Sequence, residues 1–101
     1  MKTQKIIVPQ EKIAEFCQRW NIIEFSLFGS VLRDDFNTQS DVDVLVVFAE
    51  NAEIGLFDIA QMQIELEELY RRPVDVIEKA SLRNPYRREE ILKTAQVVYV
   101  H

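Results

Sequence analysis

The strongest constraint on the fold is an apolar, β-branched run at residues 42–48, VDVLVVF, which a single charged residue interrupts, Asp43. A run of this length and composition is typical of a strand buried in a sheet. A charge beside such a run costs several kcal/mol of effective free energy unless a counter-charge compensates it. The run therefore predicts a sheet with a polar feature built into its core.

Helix-like and strand-like segments alternate along the chain. Strands are predicted at Ile22–Phe28, Val42–Phe48, Val74–Glu78 and Gln96–Val100. Helices are predicted from residues 9–11 onward, at 31–33 as one short turn, at 57–70, and from Pro85 to about Thr94. The alternation predicts an α/β (α+β) fold, a small sheet with helices packed on it. No repeat, low-complexity tract or linker interrupts it, so we expect one domain over residues 1–101.

Local signals define several element boundaries and core positions. Pro73 is predicted to end the helix at 57–70, because the residue before a proline avoids helical geometry. Asn84 is predicted to cap the last helix, with Pro85 in its first position. Cys17 and Trp20 share one apolar stripe of the first helix, so they are interpreted as core packing rather than as a reactive thiol or a stacking platform.

Composition excludes several classes of protein. The 101 residues include one cysteine, so no internal disulfide forms, and no apolar run approaches the roughly 20 residues that span a bilayer. The start of the chain does not resemble a secretory signal, and together these features predict a cytoplasmic protein. The net charge of −5 argues against a nucleic-acid partner. A core this small raises the expectation of self-association or of a hetero-complex.

The charge is distributed unevenly along the chain. Residues 34–70 hold ten Asp and Glu and no Lys or Arg, whereas residues 71–93 hold seven Lys and Arg. Two differently charged solvated surfaces would explain this. The functional alternative is that the acidic part holds cations and the basic part meets phosphate or an acidic partner.

Two aspartates, Asp41 and Asp43, stand at the entry of the predicted strand at 42–48. Side chains two residues apart on a strand share a face, which places their Cα atoms roughly 6.5–7 Å apart. Carboxylates so placed repel one another unless cations lie between them, and magnesium prefers such oxygen ligands. The alternative is that Asp41 begins the strand in a solvated turn.

Gly29 and Ser30 follow a predicted strand and precede a candidate helical turn. Glycine permits a close backbone approach, and the serine hydroxyl with the following amides suits a phosphate. A third carboxylate, Asp75, interrupts the apolar strand at 74–78. One interpretation is that Asp75 faces solvent on an edge strand. The other is that its strand lies beside the strand at 42–48, which would bring Asp75 to the same metals as Asp41 and Asp43.

This pattern resembles the nucleotidyltransferase superfamily that includes DNA polymerase beta, whose Gly-Ser-x10-Asp-x-Asp spacing is matched by Gly29, Ser30, Asp41 and Asp43. Residues 28–33 (FGSVLR), 84–86 (NPY) and 88–92 (REEIL) look like the minimal nucleotidyltransferases (MNT) that pair with HEPN-domain proteins in prokaryotes. The resemblance covers residues 20–99 and implies the polymerase beta-like fold, a small mixed sheet flanked by helices.

The resemblance also implies a mechanism. Asp41 and Asp43 would hold two Mg²⁺ ions with Asp75 joining one of them, and Gly29 and Ser30 would bind the β- and γ-phosphates of ATP. Arg33 would neutralise the phosphates, although an exposed ion pair with a neighbouring aspartate explains it as well. The acceptor would be a tyrosine of a partner HEPN ribonuclease toxin, which AMP transfer silences, so the chain would be an antitoxin. Two alternatives stay open: neutralisation of the partner by contact alone, and nucleotidyl transfer to a small molecule or RNA.

Overall fold

The structure, a computed structural model, describes residues 8–29 and 41–101. Its elements are, in chain order, α1 (Gln10–Trp20), β1 (Ile22–Phe28), β2 (Val42–Phe48), α2 (Leu56–Tyr70), β3 (Val74–Glu78), α3 (Pro85–Thr94) and β4 (Gln96–Val100), with a 3-10 turn at Lys79–Ser81. The four strand predictions are confirmed residue for residue. The short helix predicted at 31–33 lies outside the described residues.

The second helix differs from its prediction in its first residue and in what ends it. It begins one residue early, at Leu56, and the Asp58 carboxylate accepts a hydrogen bond of 2.9 Å from the backbone N–H of Gly55. It ends at Tyr70 as predicted, but the prediction that Pro73 ends it is wrong. Arg71 takes the left-handed conformation (φ 61°) and its N–H donates to the Glu67 carbonyl, which terminates the helix before the proline is reached.

The last helix is capped as predicted. The Asn84 side-chain oxygen accepts hydrogen bonds from the backbone N–H groups of Tyr86 (3.0 Å) and Arg87 (3.2 Å), and Pro85 occupies the first helical position. The 3-10 turn before α3 was not predicted. Three residues are too few to establish a helical periodicity in the sequence.

The four strands form one sheet in the order β3-β2-β1-β4. The central strands β1 and β2 are antiparallel, β4 is antiparallel to β1, and β3 is parallel to β2. The prediction of a small mixed sheet flanked by helices is confirmed. The α2 helix returns the chain to the edge beside β2, where β3 then runs in the same direction as β2.

The two faces of the sheet carry separate apolar clusters. On one face α1 packs against β1 and β4 and α2 packs against β3, in a cluster that includes Ile13, Phe16, Cys17, Met62, Leu66, Val42, Val44 and Val46. On the other, which we call the α3 face, Ile91 of α3 packs with Phe28, Leu45 and Leu82. Cys17 is fully buried in the first cluster, so its core interpretation is confirmed. Within the described residues, no helix combines the length and apolar character needed to cross a membrane.

Candidate active site

One end of the sheet gathers the functional residues that the structure describes. Because β1 is antiparallel to β2 and β3 is parallel to it, the last residues of β1 lie beside the first residues of β2 and β3. Phe28 is opposite Asp43, and Asp43 is opposite Asp75. We call this end of the sheet, with Gly29, Asp41, Asp43 and Asp75, the aspartate edge.

Asp43 and Asp75 occupy paired positions on neighbouring strands. Strands in a sheet lie about 4.7–4.9 Å apart, and paired residues direct their side chains to the same face. That face is the α3 face, because Leu45, two residues after Asp43, packs in its cluster. The prediction that the strand of Asp75 lies beside β2 is confirmed. β3 is also an edge strand on which Asp75 is exposed, so the solvent-facing alternative describes the same residue correctly.

Asp41 immediately precedes β2. It is exposed, as the solvated-turn alternative expects, whereas Asp43 is half-buried. The expectation of a carboxylate beside the apolar run therefore holds for Asp43. The next residue, Val42, is anchored by its N–H, which donates to the Pro73 carbonyl at 2.9 Å. This bond ties the start of β2 to the residue that leads into β3, and therefore fixes the spacing of the two strand entries.

Gly29 is fixed by its contact with Asp43. Its φ is +79°, a left-handed conformation that favours glycine. A Cβ added there would overlap the Asp43 carboxylate oxygen Oδ2 and lie 3.1 Å from Cγ. The backbone thus passes directly against the carboxylate, and the phosphate contact expected at this corner stays a prediction. Ser30 and Arg33, the other two predicted phosphate-binding residues, lie outside the described residues.

The donor chemistry of the aspartate edge suits a hard divalent cation. Three carboxylates supply oxygen ligands of the kind that Mg²⁺ prefers. Within residues 8–29 and 41–101, however, no three His, Cys, Asp or Glu side chains stand close enough together to enclose a metal ion. The three residues suit magnesium by their chemistry, Asp43 and Asp75 are also paired across β2 and β3, and the three-carboxylate site stays a prediction.

Two residues of α2 that the sequence did not bring to attention contact the strand of Asp75. Gln63 Oε1 accepts a hydrogen bond of 3.0 Å from the N–H of Val76, and Glu67 Oε2 accepts one of 3.2 Å from the N–H of Val74. A signal was present: Gln63 and Glu67 are spaced i, i+4, and only residues 71–73 separate α2 from β3. A connection this short makes the helix and the following strand antiparallel neighbours.

Comparison with known proteins decides the family. The model of the family described as nucleotidyltransferase domain matches residues 10–98. This chain belongs to that family. It is therefore a nucleotidyltransferase, as the sequence predicted from Gly29, Ser30, Asp41 and Asp43.

Relatives of similar length support this assignment. The protein adenylyltransferase MntA of Thermococcus cleftensis is 35% identical to this nucleotidyltransferase over 88 residues, covering 85% of this chain and 82% of the relative. A Methanocaldococcus jannaschii protein, named as a proposed protein adenylyltransferase, is 33% identical over 86 residues, covering 85% of this chain and 89% of the relative.

Solved structures show the same fold. The structure of a proposed minimal nucleotidyltransferase, 33% identical, superposes with a TM-score of 0.70 and covers 86% of each chain. The MNT antitoxin bound to the tri-AMPylated HEPN toxin of Shewanella oneidensis is also similar, with a TM-score of 0.65 at 16% identity over 91% of this chain and 70% of that one. The prediction of the polymerase beta-like fold of minimal nucleotidyltransferases is thereby confirmed.

Proposed function

We propose that this nucleotidyltransferase is an antitoxin that transfers AMP from ATP to a tyrosine of a partner HEPN-type ribonuclease. The observation that carries the proposal is the alignment of Phe28, Asp43 and Asp75 across three strands, with Gly29 against the Asp43 carboxylate. Two relatives named for protein adenylylation, 33% and 35% identical, support AMP as the group and a protein as the acceptor. The similar fold of an antitoxin bound to its AMPylated HEPN toxin supports the class of partner.

Asp41, Asp43 and Asp75 are the residues that would hold magnesium, as two ions. Bound there, magnesium would neutralise charge on the transferring phosphate and lower the pKa of the attacking oxygen. Asp43 is the least exposed of the three and lies directly against Gly29, so it would be the most firmly positioned ligand. Asp75 is exposed on the α3 face, so it is the carboxylate that an acceptor protein would reach there.

The transfer is an in-line displacement at the α-phosphorus of ATP. The acceptor tyrosine loses its O–H proton with the help of the Asp75 carboxylate, and its oxygen forms a bond to the α-phosphorus. The bond from that phosphorus to the oxygen bridging to the β-phosphate breaks, and pyrophosphate leaves with the electron pair. Gly29 and Ser30 bind the β- and γ-phosphates, and Arg33 contributes positive charge to them.

The test is transfer of label from ATP labelled at the α-phosphate to a HEPN-type ribonuclease of the same genome. Asp41→Asn and Asp43→Asn are each expected to reduce the rate by about 10³-fold, since the loss of a metal ligand removes several kcal/mol of transition-state stabilisation. Glu24→Gln is the matched control, because Glu24 is a half-buried carboxyl on β1, opposite Val47 at the far end of the sheet. Labelling by Asp43→Asn at the wild-type rate would refute the assignment.

Neutralisation by contact alone is the second candidate, and an exposed apolar surface favours it. Leu56 and Phe57, at the start of α2, are 88% and 92% exposed. Protection of cells from the ribonuclease distinguishes the candidates. If the variant lacking all three aspartates still protects while Phe57→Ser does not, contact is the activity; the reverse result supports AMP transfer.

A further inference from the structure

Side chains of α2 occupy the outer edge of β3. This strand is at the end of the sheet, so on one side its backbone groups pair with β2 and on the other they face away from the sheet. The N–H groups of Val74 and Val76 point outward, and they donate to Glu67 and Gln63 respectively. Both bonds are part-buried, and both acceptors come from one helix.

The match between helix and strand follows from their repeats. Residues four apart on a helix are separated by about 6.0 Å along its axis, and residues two apart on a parallel strand by about 6.6 Å. Gln63 and Glu67, four residues apart on α2, can therefore each reach one outward N–H of β3, which runs antiparallel to the helix. The order of the bonds, with Gln63 on Val76 and Glu67 on Val74, fits that antiparallel arrangement.

Asp75 lies between Val74 and Val76, the two residues whose N–H groups are bound by α2. The Pro73 carbonyl accepts from Val42 of β2, so the backbone groups of residues 73, 75 and 77 point toward β2. The backbone of Asp75 is thus held by β2 on one side, and its two neighbours are held by α2 on the other. Its side chain lies on the α3 face, away from α2, so the α2 side chains act on Asp75 through the backbone.

We propose that Gln63 and Glu67 are positioning residues, which hold β3 in place so that Asp75 stays aligned with Asp43. An edge strand of five residues with an uncapped outer side frays and offers its amides to other strands. The caps prevent both. The inference rests on the proposed function only in giving Asp75 a part in the reaction; the capping itself is independent of it.

Amide hydrogen exchange followed by NMR tests the capping. Gln63→Leu with Glu67→Leu removes both acceptors and is expected to speed exchange at Val74 and Val76 by at least tenfold. Glu67→Gln keeps a carbonyl acceptor and is expected to preserve the slow exchange at Val74. Glu68→Leu is the matched control, since Glu68 is an exposed carboxyl on the same helix. Unchanged exchange in the double variant would overturn the inference.

Steady-state labelling from α-labelled ATP tests the consequence for the reaction. The double leucine variant is expected to lower kcat by about 10²-fold, the effect of misplacing a reacting group by about 1 Å. The KM for ATP is expected to stay at its wild-type value, because the residues proposed to bind the phosphates, Gly29 and Ser30, follow β1 and not β3. The single variant Glu67→Gln keeps Gln63 and a carbonyl acceptor at position 67, so it is expected to keep the wild-type kcat. Fast exchange combined with a wild-type kcat would show that the caps do not position Asp75.

The two ideas fail differently. If Asp75→Asn transfers AMP at the wild-type rate, the proposed role of Asp75 is wrong whatever the α2 variants do. If Asp75→Asn is inactive and the double leucine variant is fully active, the proposed function stands and the positioning inference is wrong. A fall in kcat with an unchanged KM in the double leucine variant, with kcat kept by Glu67→Gln, supports both.

Discussion

Replacing Gly29 by alanine forces two separate changes at the aspartate edge. The first is in the backbone, where an L-residue must adopt a φ of +79°. The second is a collision, because the new Cβ overlaps the Asp43 carboxylate oxygen and lies 3.1 Å from its Cγ. One change acts on the stability of the fold, and the other displaces a predicted metal ligand.

The backbone change costs about 1–2 kcal/mol. For a domain of this size, each kcal/mol lowers Tm by roughly 4–8 °C, so the backbone cost alone lowers the Tm of Gly29→Ala by roughly 4–16 °C, and the collision lowers it further. A carboxylate displaced by about 1 Å costs about 10²-fold in rate. We therefore expect AMP transfer to fall by about that factor at a temperature where the variant is folded.

Gly55, the other glycine of the chain, provides the matched control. A Cβ added there lies 3.8 Å from the Asp58 carboxylate, an ordinary contact, and its φ of −109° suits any residue. Gly55→Ala is expected to keep full activity. Making Gly29→Ala in a protein that already carries Asp43→Ala removes the collision. In that protein Gly29→Ala should lower the free energy of unfolding by the backbone cost alone. A Gly29→Ala protein with wild-type Tm and wild-type labelling would refute the geometry of the edge.

Two further predictions concern groups away from the aspartate edge. Burial opposes ionisation of Glu65, but hydrogen bonds from Trp20, Arg19 and Gln61 outweigh it and lower the pKa of the carboxyl. Its contribution is therefore present above the ordinary pKa of about 4.3 and lost as pH falls through the lowered value. At pH 7 the wild type should be more stable than Glu65→Gln by less than about 1 kcal/mol, because the Arg19 side chain of the ion pair is 59% exposed. The corresponding difference in Tm should shrink from pH 7 to pH 3, and an equal difference at both pH values would contradict this. Burial raises the pKa of Cys17 to about 12, so at pH 8 a thiol reagent should label the chain only as it unfolds; labelling of the native chain at the rate of a free thiol would be incompatible with this core.

The strands were predictable because each is a short, mostly apolar run rich in valine, isoleucine or aromatic residues. The end of α2 was attributed to the wrong residue because the left-handed position that ends it is occupied by Arg71. A glycine there would have signalled the helix end. The order of the strands depends on contacts between residues far apart in the chain, which local patterns do not contain. The one pairing that was predicted, β3 beside β2, came from asking what Asp75 does in an apolar strand.

The candidate site was predictable to the extent that strand alternation determines it. Alternation predicts that Asp41 and Asp43 share a face, but Asp41 precedes β2, and its exposure depends on where the sheet stops. The close contact between Gly29 and Asp43 requires the register of β1 on β2, which the sequence does not specify. The part played by Gln63 and Glu67 requires knowing that α2 lies along the outer side of β3.

We propose above that this nucleotidyltransferase moves the α-phosphate of ATP, with its nucleoside, onto a protein. Parallel incubations with ATP labelled at the α-phosphate and at the γ-phosphate, each with the HEPN-type acceptor, measure this directly. We expect the acceptor to be labelled from the α-position only, at the wild-type rate with Glu24→Gln and about 10³-fold more slowly with Asp43→Asn. Label arriving from the γ-position, or at the wild-type rate with Asp43→Asn, would contradict the proposal.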